Sequence, residues 1–123
     1  MLWGHRVDIQ KIMSTAVVSC KSTDTLNSAA RKMWEDDCGA LPVLGADDAV
    51  IGMITDRDIS MGGYTQGRPL SEIPIATSMS KGVFSVTPET SLKDAESLMQ
   101  DQQIRRLPVV DDGGKPVGIV SLR

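Results

Sequence analysis

Three residues near the middle of the chain carry groups able to bind a ligand: Gly52, Thr55 and Asp58, spaced three apart. An ionised carboxylate such as that of Asp58 can accept hydrogen bonds from two neighbouring hydroxyls, as on a ribose, and a threonine hydroxyl can donate to a phosphate. Asp58 is also predicted to open a helix, where backbone N–H groups and the helix dipole favour anions. The same two residues could equally serve only as caps of that helix. The spacing alone leaves both interpretations open.

A second feature is the basic pair Arg105-Arg106. A guanidinium group offers a planar fork of donors that fits a phosphate well. The alternative is that both side chains are solvated charges that face Asp101 or Asp111. This pair favours a phosphorylated ligand without establishing one.

Catalytic and metal chemistry have little support. The chain has one histidine, His5, and two cysteines, Cys20 and Cys38, which share no CxxC motif and are expected to be reduced thiols. No metal site can be assembled from these three residues at a usual spacing, and no nucleophile–base pair is visible. We therefore predict neither an enzyme nor an enzymatic cofactor.

Composition narrows the class of protein further. The 123 residues are 41% hydrophobic and 24% charged, with a net charge of -3, which indicates one globular domain and argues against a nucleic-acid partner. No apolar run reaches about 18 residues, so no membrane insertion is expected. The first six residues lack a secretory pattern, and the cytoplasm is the expected location.

An internal repeat dominates the organisation. Residues 9–57 align without a gap with residues 75–123, at a constant offset of 66. Identical pairs include Met13/Met79, Ser14/Ser80 and the shared Leu-Pro-Val that begins at Leu41 and Leu107. We predict a first repeat over 7–58, a connecting segment over 59–74 and a second repeat over 75–123.

Each repeat is predicted to be a β-α-β-β unit. The strands are expected at 16–20, 41–44 and 50–54, and again at 82–86, 107–110 and 116–120. The helices follow from apolar stripes at Leu26, Ala29, Ala30 and Met33, and at Leu92, Ala95, Leu98 and Met99. The acids at 47–48 and 111–112 are interpreted as turn formers. The glycines at 62, 63 and 67 predict a weak helix in the connecting segment.

The fold class that follows is α+β. Because one repeat alone would expose an apolar face, the two repeats are expected to pack together with pseudo-twofold symmetry.

The motifs resemble those of the CBS domain. The resemblance rests on a Met-Ser opening, Ala40-Leu41-Pro42-Val43, Gly52-Met53-Ile54-Thr55-Asp56-Arg57-Asp58 and, in the second copy, the run 105–111 with Gly118-Ile119-Val120-Ser121. It covers the chain from about Val7 to Arg123, twice in register. It implies a CBS pair, or Bateman module, which binds AMP, ATP, S-adenosylmethionine or a related adenosine ligand. Such pairs commonly dimerise and regulate an enzyme, channel or transporter.

The resemblance also implies which residues bind. One site would combine Met53, Thr55 and Asp58 of the first repeat with Val83, Phe84, Arg105 and Arg106 of the second. A second, weaker site would combine Val17, Val18, Gly39, Ala40 and Ser121. It has Gly39 and Ala40 where the first site has arginines. The aspartate expected after Ser121 would be residue 124, beyond Arg123, and the final helix is missing, which suggests a truncated sequence.

Two functions stay open at this point. The favoured one is a regulatory module that senses an adenine nucleotide, with AMP or ATP preferred because of Arg105 and Arg106. The alternative is a structural dimerisation module without a ligand. Both predict a homodimer.

Overall fold

A computed structural model describes residues 7–121 of the chain. The strands are β1 (Cys20–Lys21), β2 (Ala40–Leu44), β3 (Val50–Thr55), β4 (Arg106–Val110) and β5 (Pro116–Ser121). The α-helices are α1 (Leu26–Glu35), α2 (Asp56–Gln66) and α3 (Leu92–Gln102), and short 3-10 turns lie at Ile9–Lys11, Leu70–Glu72 and Ile75–Thr77. This mixture of helix and strand, built twice, confirms the predicted α+β class.

The chain folds as two compact units, and each contains the opening residues of the other repeat. The first-repeat unit is Val18–Val83, and the second-repeat unit joins residues 7–17 to residues from Phe84 onward. Ser80 of the second repeat pairs with Met53 on β3, and Ser14 of the first repeat pairs with Ile119 on β5. The repeats therefore exchange their Met-Ser openings reciprocally.

The first-repeat unit contains a three-stranded sheet in the order β1-β2-β3. β1 is parallel to β2, and β2 is antiparallel to β3 with Ala40 opposite Thr55. Helix α1 packs Leu26, Ala29 and Met33 into the core, as the apolar stripe predicts, and the side chain of Thr25 caps its first turn. Leu41, Ile54 and Ile73 are fully buried in the same core. The periodicity of one short helix was thus enough to predict which face is buried.

The second-repeat unit repeats this plan with a two-stranded antiparallel sheet, β4-β5. Ser91 caps α3 by accepting a hydrogen bond from the amide of Asp94, and Ala95 and Met99 face the core. Ile9, from the start of the chain, is fully buried in this core, and its amide donates to the carbonyl of Thr90 at 2.8 Å. The opening residues are therefore part of this unit's packing.

The first predicted strand of each repeat is mostly wrong. Of residues 16–20 only Cys20 lies in a strand, and of residues 82–86 only Val86 pairs, through an isolated bridge to Val109. β-branched residues favour extended backbone, but a strand also needs a hydrogen-bonded neighbour. Both segments span the points where the chain passes from one unit to the other, between 17 and 18 and between 83 and 84.

Helix α2 is sturdier than its glycines predict. It runs for 11 residues and ends at Gly67, whose φ of 61° lies in the left-handed region. A Cβ on Gly62 would collide with Ser78 Oγ and with Leu26 Cδ1. The missing side chain therefore lets α2 pack closely against α1, and this packing outweighs poor helix propensity.

The acids in the two hairpin loops form turns, as predicted. Asp47 Oδ1 accepts from the amide of Ala49, and Asp111 Oδ1 accepts from the amides of Gly113 and Lys115 at 2.9 Å each. No helix within residues 7–121 is long and apolar enough to cross a membrane.

Candidate functional site

Thr55 and Asp58 form a reciprocal cap at the junction of β3 and α2. Thr55 Oγ1 accepts from the amide of Asp58 at 3.1 Å, and Asp58 Oδ2 accepts from the amide of Thr55 at 2.9 Å. This capping box satisfies two backbone donors that helix geometry would leave without partners. The capping interpretation that the spacing left open is therefore confirmed.

Capping leaves ligand-binding capacity on both side chains. Thr55 Oγ1 uses a lone pair to accept, so its hydroxyl hydrogen stays available to a ligand acceptor. Within residues 7–121, Asp58 accepts a hydrogen bond through only one of its two carboxylate oxygens. Both residues are half-buried, and the cap holds them in fixed positions at a helix N-terminus. The arrangement can present one donor and one anionic acceptor to a small polar ligand.

Gly52 has a structural reason to lack a side chain. A Cβ there would lie 2.7 Å from the carbonyl oxygen of Ser80 and 2.9 Å from Met79 Sδ. The close approach allows Met53 to donate its amide to Ser80 at 3.2 Å and to accept the amide of Ser80 at 2.9 Å. Both backbone groups of Met53 are therefore already bonded. Any contact of Met53 with a ligand would use its half-buried side chain or the second lone pair of its carbonyl.

The loop before β2 also meets this junction. The amide of Asp56 donates to the carbonyl of Gly39 at 3.0 Å, and Ala40 lies opposite Thr55 in the sheet. Gly39 and Ala40, which the resemblance assigns to the weaker site, are thus neighbours of Thr55, which it assigns to the main site. Sequence reasoning missed the bond between Asp56 and Gly39, because it joins residues 17 positions apart.

The second-repeat unit shows the matching arrangement. Arg106, assigned to the main site, lies opposite Ser121, assigned to the weaker site, at the ends of β4 and β5. Arg105 and Arg106 are both exposed, and within residues 7–121 neither forms an ion pair with Asp101 or Asp111. Their positive charges are therefore free to meet an anion.

The remaining predicted residues lie in the segments that join the units. Val83 and Val18 belong to the first-repeat unit, and Phe84 and Val17 to the second-repeat unit. Phe84, the only phenylalanine in the sequence, is 42% exposed, which is high for a large apolar side chain. The three valines are half-buried. An exposed aromatic ring is a surface on which a flat heterocycle can stack.

Both cysteines lie in or against the core of the first-repeat unit. Cys20 is 2% exposed in the core, and burial raises the pKa of its thiol to about 11. Its thiol points at the carbonyl of Pro42, 3.7 Å from Sγ. Among the described residues no three or more His, Cys, Asp or Glu side chains are grouped so as to hold a metal ion, and His5 lies outside them.

Comparison with known proteins places the chain in a family. The model of the CBS domain matches twice, over residues 8–61 and 70–123. The CBS domain-containing protein YhcV of Bacillus subtilis is 40% identical over 114 residues, which cover 93% of this chain and 79% of that protein. An uncharacterised protein of Methanopyrus kandleri is 34% identical over 117 residues, and the match spans 60% of its length.

Solved structures agree with this assignment. Hypoxic Response Protein I, crystallised with two coordinated zinc ions, matches with a TM-score of 0.83 and 33% identity, over 94% of this chain and 92% of that one. The CBS domain pair of protein MJ0100, in complex with 5-methylthioadenosine and S-adenosyl-L-methionine, matches with a TM-score of 0.85 and 23% identity, over 95% and 90% of the two chains. The second likeness shows the fold alone.

Fold, repeat and family model lead to the same assignment. The two exchanged Met-Ser openings and the two Leu-Pro-Val strands occupy equivalent places in the two units. CBS domains are generally regulatory modules that bind ligands. The chain belongs to the CBS-domain family, of which it contains a tandem pair.

Proposed function

We propose that this chain is a sensor of an adenosine-containing ligand, and that ligand binding controls a partner enzyme or transporter. The observation that carries the proposal is the cap formed by Thr55 and Asp58. It fixes one hydroxyl donor and one carboxylate oxygen beside a helix N-terminus, with both groups still able to bond a ligand. Asp58 would accept from the ribose hydroxyls, and Thr55 would donate to a phosphate or to another acceptor.

The exposed arginines favour a phosphorylated ligand. Arg105 and Arg106 make no ion pair among the described residues, and a guanidinium fork binds phosphate oxygens more strongly than it binds water. The resemblance assigns them to the same site as Thr55 and Asp58, together with Met53, Val83 and Phe84. AMP and ATP are therefore the preferred ligands, and the weaker site, with Val17, Val18, Gly39, Ala40 and Ser121, is expected to bind less tightly.

A neighbour of the same fold supports the adenosine class. The structure of protein MJ0100 contains 5-methylthioadenosine and S-adenosyl-L-methionine, which share an adenosine moiety. Its identity of 23% carries the fold to this chain and not the ligand. The assignment of the ligand here rests on Thr55, Asp58 and the arginines.

Regulation follows from differential binding. A ligand shifts a conformational equilibrium only as far as it binds one state more tightly than the other. A tenfold difference in affinity corresponds to about 1.4 kcal/mol and changes the population ratio of two states about tenfold. The partner that reads this change would recognise one of the two states.

The experiment is calorimetric titration with AMP, ADP, ATP, NAD and S-adenosylmethionine. We expect saturable binding to the wild-type protein, loss of binding in Asp58→Ala, and at least tenfold weaker binding of phosphorylated ligands in Arg106→Ala. Ser91→Ala is the matched control because it removes a helix cap of the same kind from α3. It should lower stability by about 1 kcal/mol and leave affinity unchanged.

The outcomes separate the alternatives. Unchanged binding in Asp58→Ala would show that the ligand site does not lie at the start of α2. Failure of all five ligands to bind the folded protein would refute the sensor and leave the dimerisation module.

A further inference from the structure

Two methionine side chains pack onto strand glycines at equivalent places in the two repeats. Met79 packs against β3, with its Sδ 2.9 Å from the position that a Cβ of Gly52 would occupy. Met13 packs against β5 in the same way, with its Sδ 2.5 Å from the corresponding position at Gly118. Each thioether therefore fills space that exists only because the strand residue has no side chain.

Both methionines are partly accessible to solvent. Met13 and Met79 are half-buried at the edges of the two cores. By contrast, Met99 and Met33 lie inside these cores and are only 2% and 7% exposed. Hydrogen peroxide is a small polar molecule that reaches a half-buried side chain more readily than a buried one, and it converts a methionine thioether into a sulfoxide. Met61 on α2 is 46% exposed and provides the reference for an unprotected methionine.

A sulfoxide does not fit where the thioether of Met79 lies. The carbonyl oxygen of Ser80 is 2.7 Å from the same Cβ position at Gly52, so this oxygen and the sulfur crowd one small space. Oxidation adds an oxygen atom that makes the side chain larger and polar, and this oxygen would be a second acceptor near the carbonyl. Either the Met79 side chain must leave its place, or residues 79–80 must shift away from β3.

The packing that is lost protects a pair of main-chain hydrogen bonds. The amide of Met53 donates to the carbonyl of Ser80 at 3.2 Å, and the amide of Ser80 donates to the carbonyl of Met53 at 2.9 Å. In the second-repeat unit, Ser14 and Ile119 exchange the same two bonds, at 2.9 Å each. Each methionine immediately precedes the serine that makes these bonds, so its displacement acts directly on them.

We propose that Met79 and Met13 are sites of reversible oxidation to methionine sulfoxide, and that oxidation releases each Met-Ser opening from its strand. The sulfur lone pair takes one oxygen atom from hydrogen peroxide, which is reduced to water, and no carbon–sulfur bond breaks. In the reverse reaction a methionine sulfoxide reductase uses two thiols, which form a disulfide, and the oxygen leaves as water. Release of β3 acts on the strand that leads into Thr55.

Amide hydrogen exchange on the ligand-free protein tests the proposal, so its outcome is independent of the adenosine site. The protein is treated with hydrogen peroxide and then with dithiothreitol, which reduces oxidised cysteines but not methionine sulfoxide. Peptide mass spectrometry should find sulfoxide at Met79 and Met13. The amides of Met53 and Ser80 should exchange about tenfold faster or more, because exchange reports local opening. Methionine sulfoxide reductase should restore the original rates.

A leucine substitution assigns the effect to one sulfur atom. Leucine keeps nearly the volume of methionine and cannot be oxidised by peroxide. In Met79→Leu, peroxide treatment should leave the exchange rates of the Met53 and Ser80 amides unchanged, while the amides of Ser14 and Ile119 still exchange faster.

Two further variants complete the comparison. Met13→Leu should show the reverse pattern, with the Ser14 and Ile119 amides protected from the effect of peroxide. Met61→Leu is the matched control, because it removes the more exposed thioether and should change neither response. Circular dichroism before treatment should show each variant folded.

Three results would overturn the proposal. Peroxide could oxidise Met61 and leave Met79 and Met13 as thioethers. Sulfoxide could form at both residues with no change in the exchange rates. Faster exchange of the Ser80 amide could persist in Met79→Leu, which would assign the effect to another oxidised side chain.

Discussion

Replacing Gly52 by alanine tests the close packing of β3 against Ser80, which positions the strand that leads into Thr55 and Asp58. The new methyl group would lie 2.7 Å from the carbonyl oxygen of Ser80, which belongs to the backbone and cannot move alone. Relief requires residues 79–80 to shift away from β3. That shift would stretch the two hydrogen bonds between Met53 and Ser80, two residues before the Thr55 cap.

The size of the effect follows from two contributions. Overpacking a tight contact costs roughly 1–3 kcal/mol, and a weakened main-chain hydrogen bond adds about 1 kcal/mol. We therefore expect Gly52→Ala to lower the free energy of unfolding by roughly 2–4 kcal/mol. Affinity for the adenosine ligand should fall as well, because β3 leads directly into Thr55 and Asp58.

Two other glycines provide matched controls. At Gly118 the backbone oxygen of Ser14 would lie 3.1 Å from the new Cβ, and the closer neighbour is the flexible thioether of Met13. Gly118→Ala should therefore cost less, roughly 1–2 kcal/mol. At Gly113 the nearest atom is 3.5 Å away and φ is not positive, so the change should stay within about 0.5 kcal/mol.

Urea unfolding, followed by circular dichroism, measures all three variants. The expected order of destabilisation is Gly52→Ala, then Gly118→Ala, then Gly113→Ala. If Gly52→Ala were as stable as Gly113→Ala, or less harmful than Gly118→Ala, the close approach of Ser80 to β3 would be wrong.

Three further predictions concern stability. The pKa of the Cys20 thiol is about 11 in the fold and 9.0 ordinarily, so the thiol loses its proton at lower pH in the unfolded chain than in the folded one. The free energy of unfolding should therefore be retained below pH 9 and fall between pH 9 and 11. Over this range it should fall by roughly 2–3 kcal/mol more in the wild type than in Cys20→Ala. Equal slopes for the two proteins would contradict this. Ser78 Oγ is buried and has no hydrogen-bond partner among the described residues, so Ser78→Ala should leave the melting temperature unchanged or raise it. A clear decrease in the melting temperature would contradict this. Gly67→Ala should lower the free energy of unfolding in urea by about 1 kcal/mol, because φ at this residue is 61° and an alanine is strained there. No steric clash adds to this cost, since none of the described atoms lies within 4 Å of the new Cβ. An unchanged free energy of unfolding would refute the left-handed cap.

Local patterns in the sequence predicted the helices and hairpins. The stripe from Leu26 to Met33 identified the buried face of α1 because helical periodicity depends only on neighbours along the chain. Asp111 could be assigned to a turn for the same reason. The spacing of Thr55 and Asp58 admitted a cap, since a capping box spans only four residues, but it did not distinguish a cap from a ligand-binding site.

Features that depend on distant residues were harder to predict. The repeat shows that Met13 and Met79 have equivalent roles, but identity cannot tell which sheet receives each opening segment. The glycines of α2 have low helix propensity, and this led to the prediction of a weak helix. The contact that stabilises α2, between Gly62 and Leu26, joins residues 36 positions apart and cannot be read from local sequence. The strands expected at 16–20 and 82–86 failed because pairing partners are not encoded in β-branched content.

The most direct test of the adenosine site is nuclear magnetic resonance of the backbone amides during titration with AMP. We expect the amide resonances of Asp56, Arg57 and Asp58 to shift progressively and saturate. The amide resonances of Leu92, Lys93 and Asp94, at the similarly capped start of α3, should not shift. Saturable shifts at the first turn of α2 and at its neighbours Gly39 and Ala40 would support a ligand held by Thr55 and Asp58. Shifts that bypass this turn, or that appear equally at α3, would contradict it.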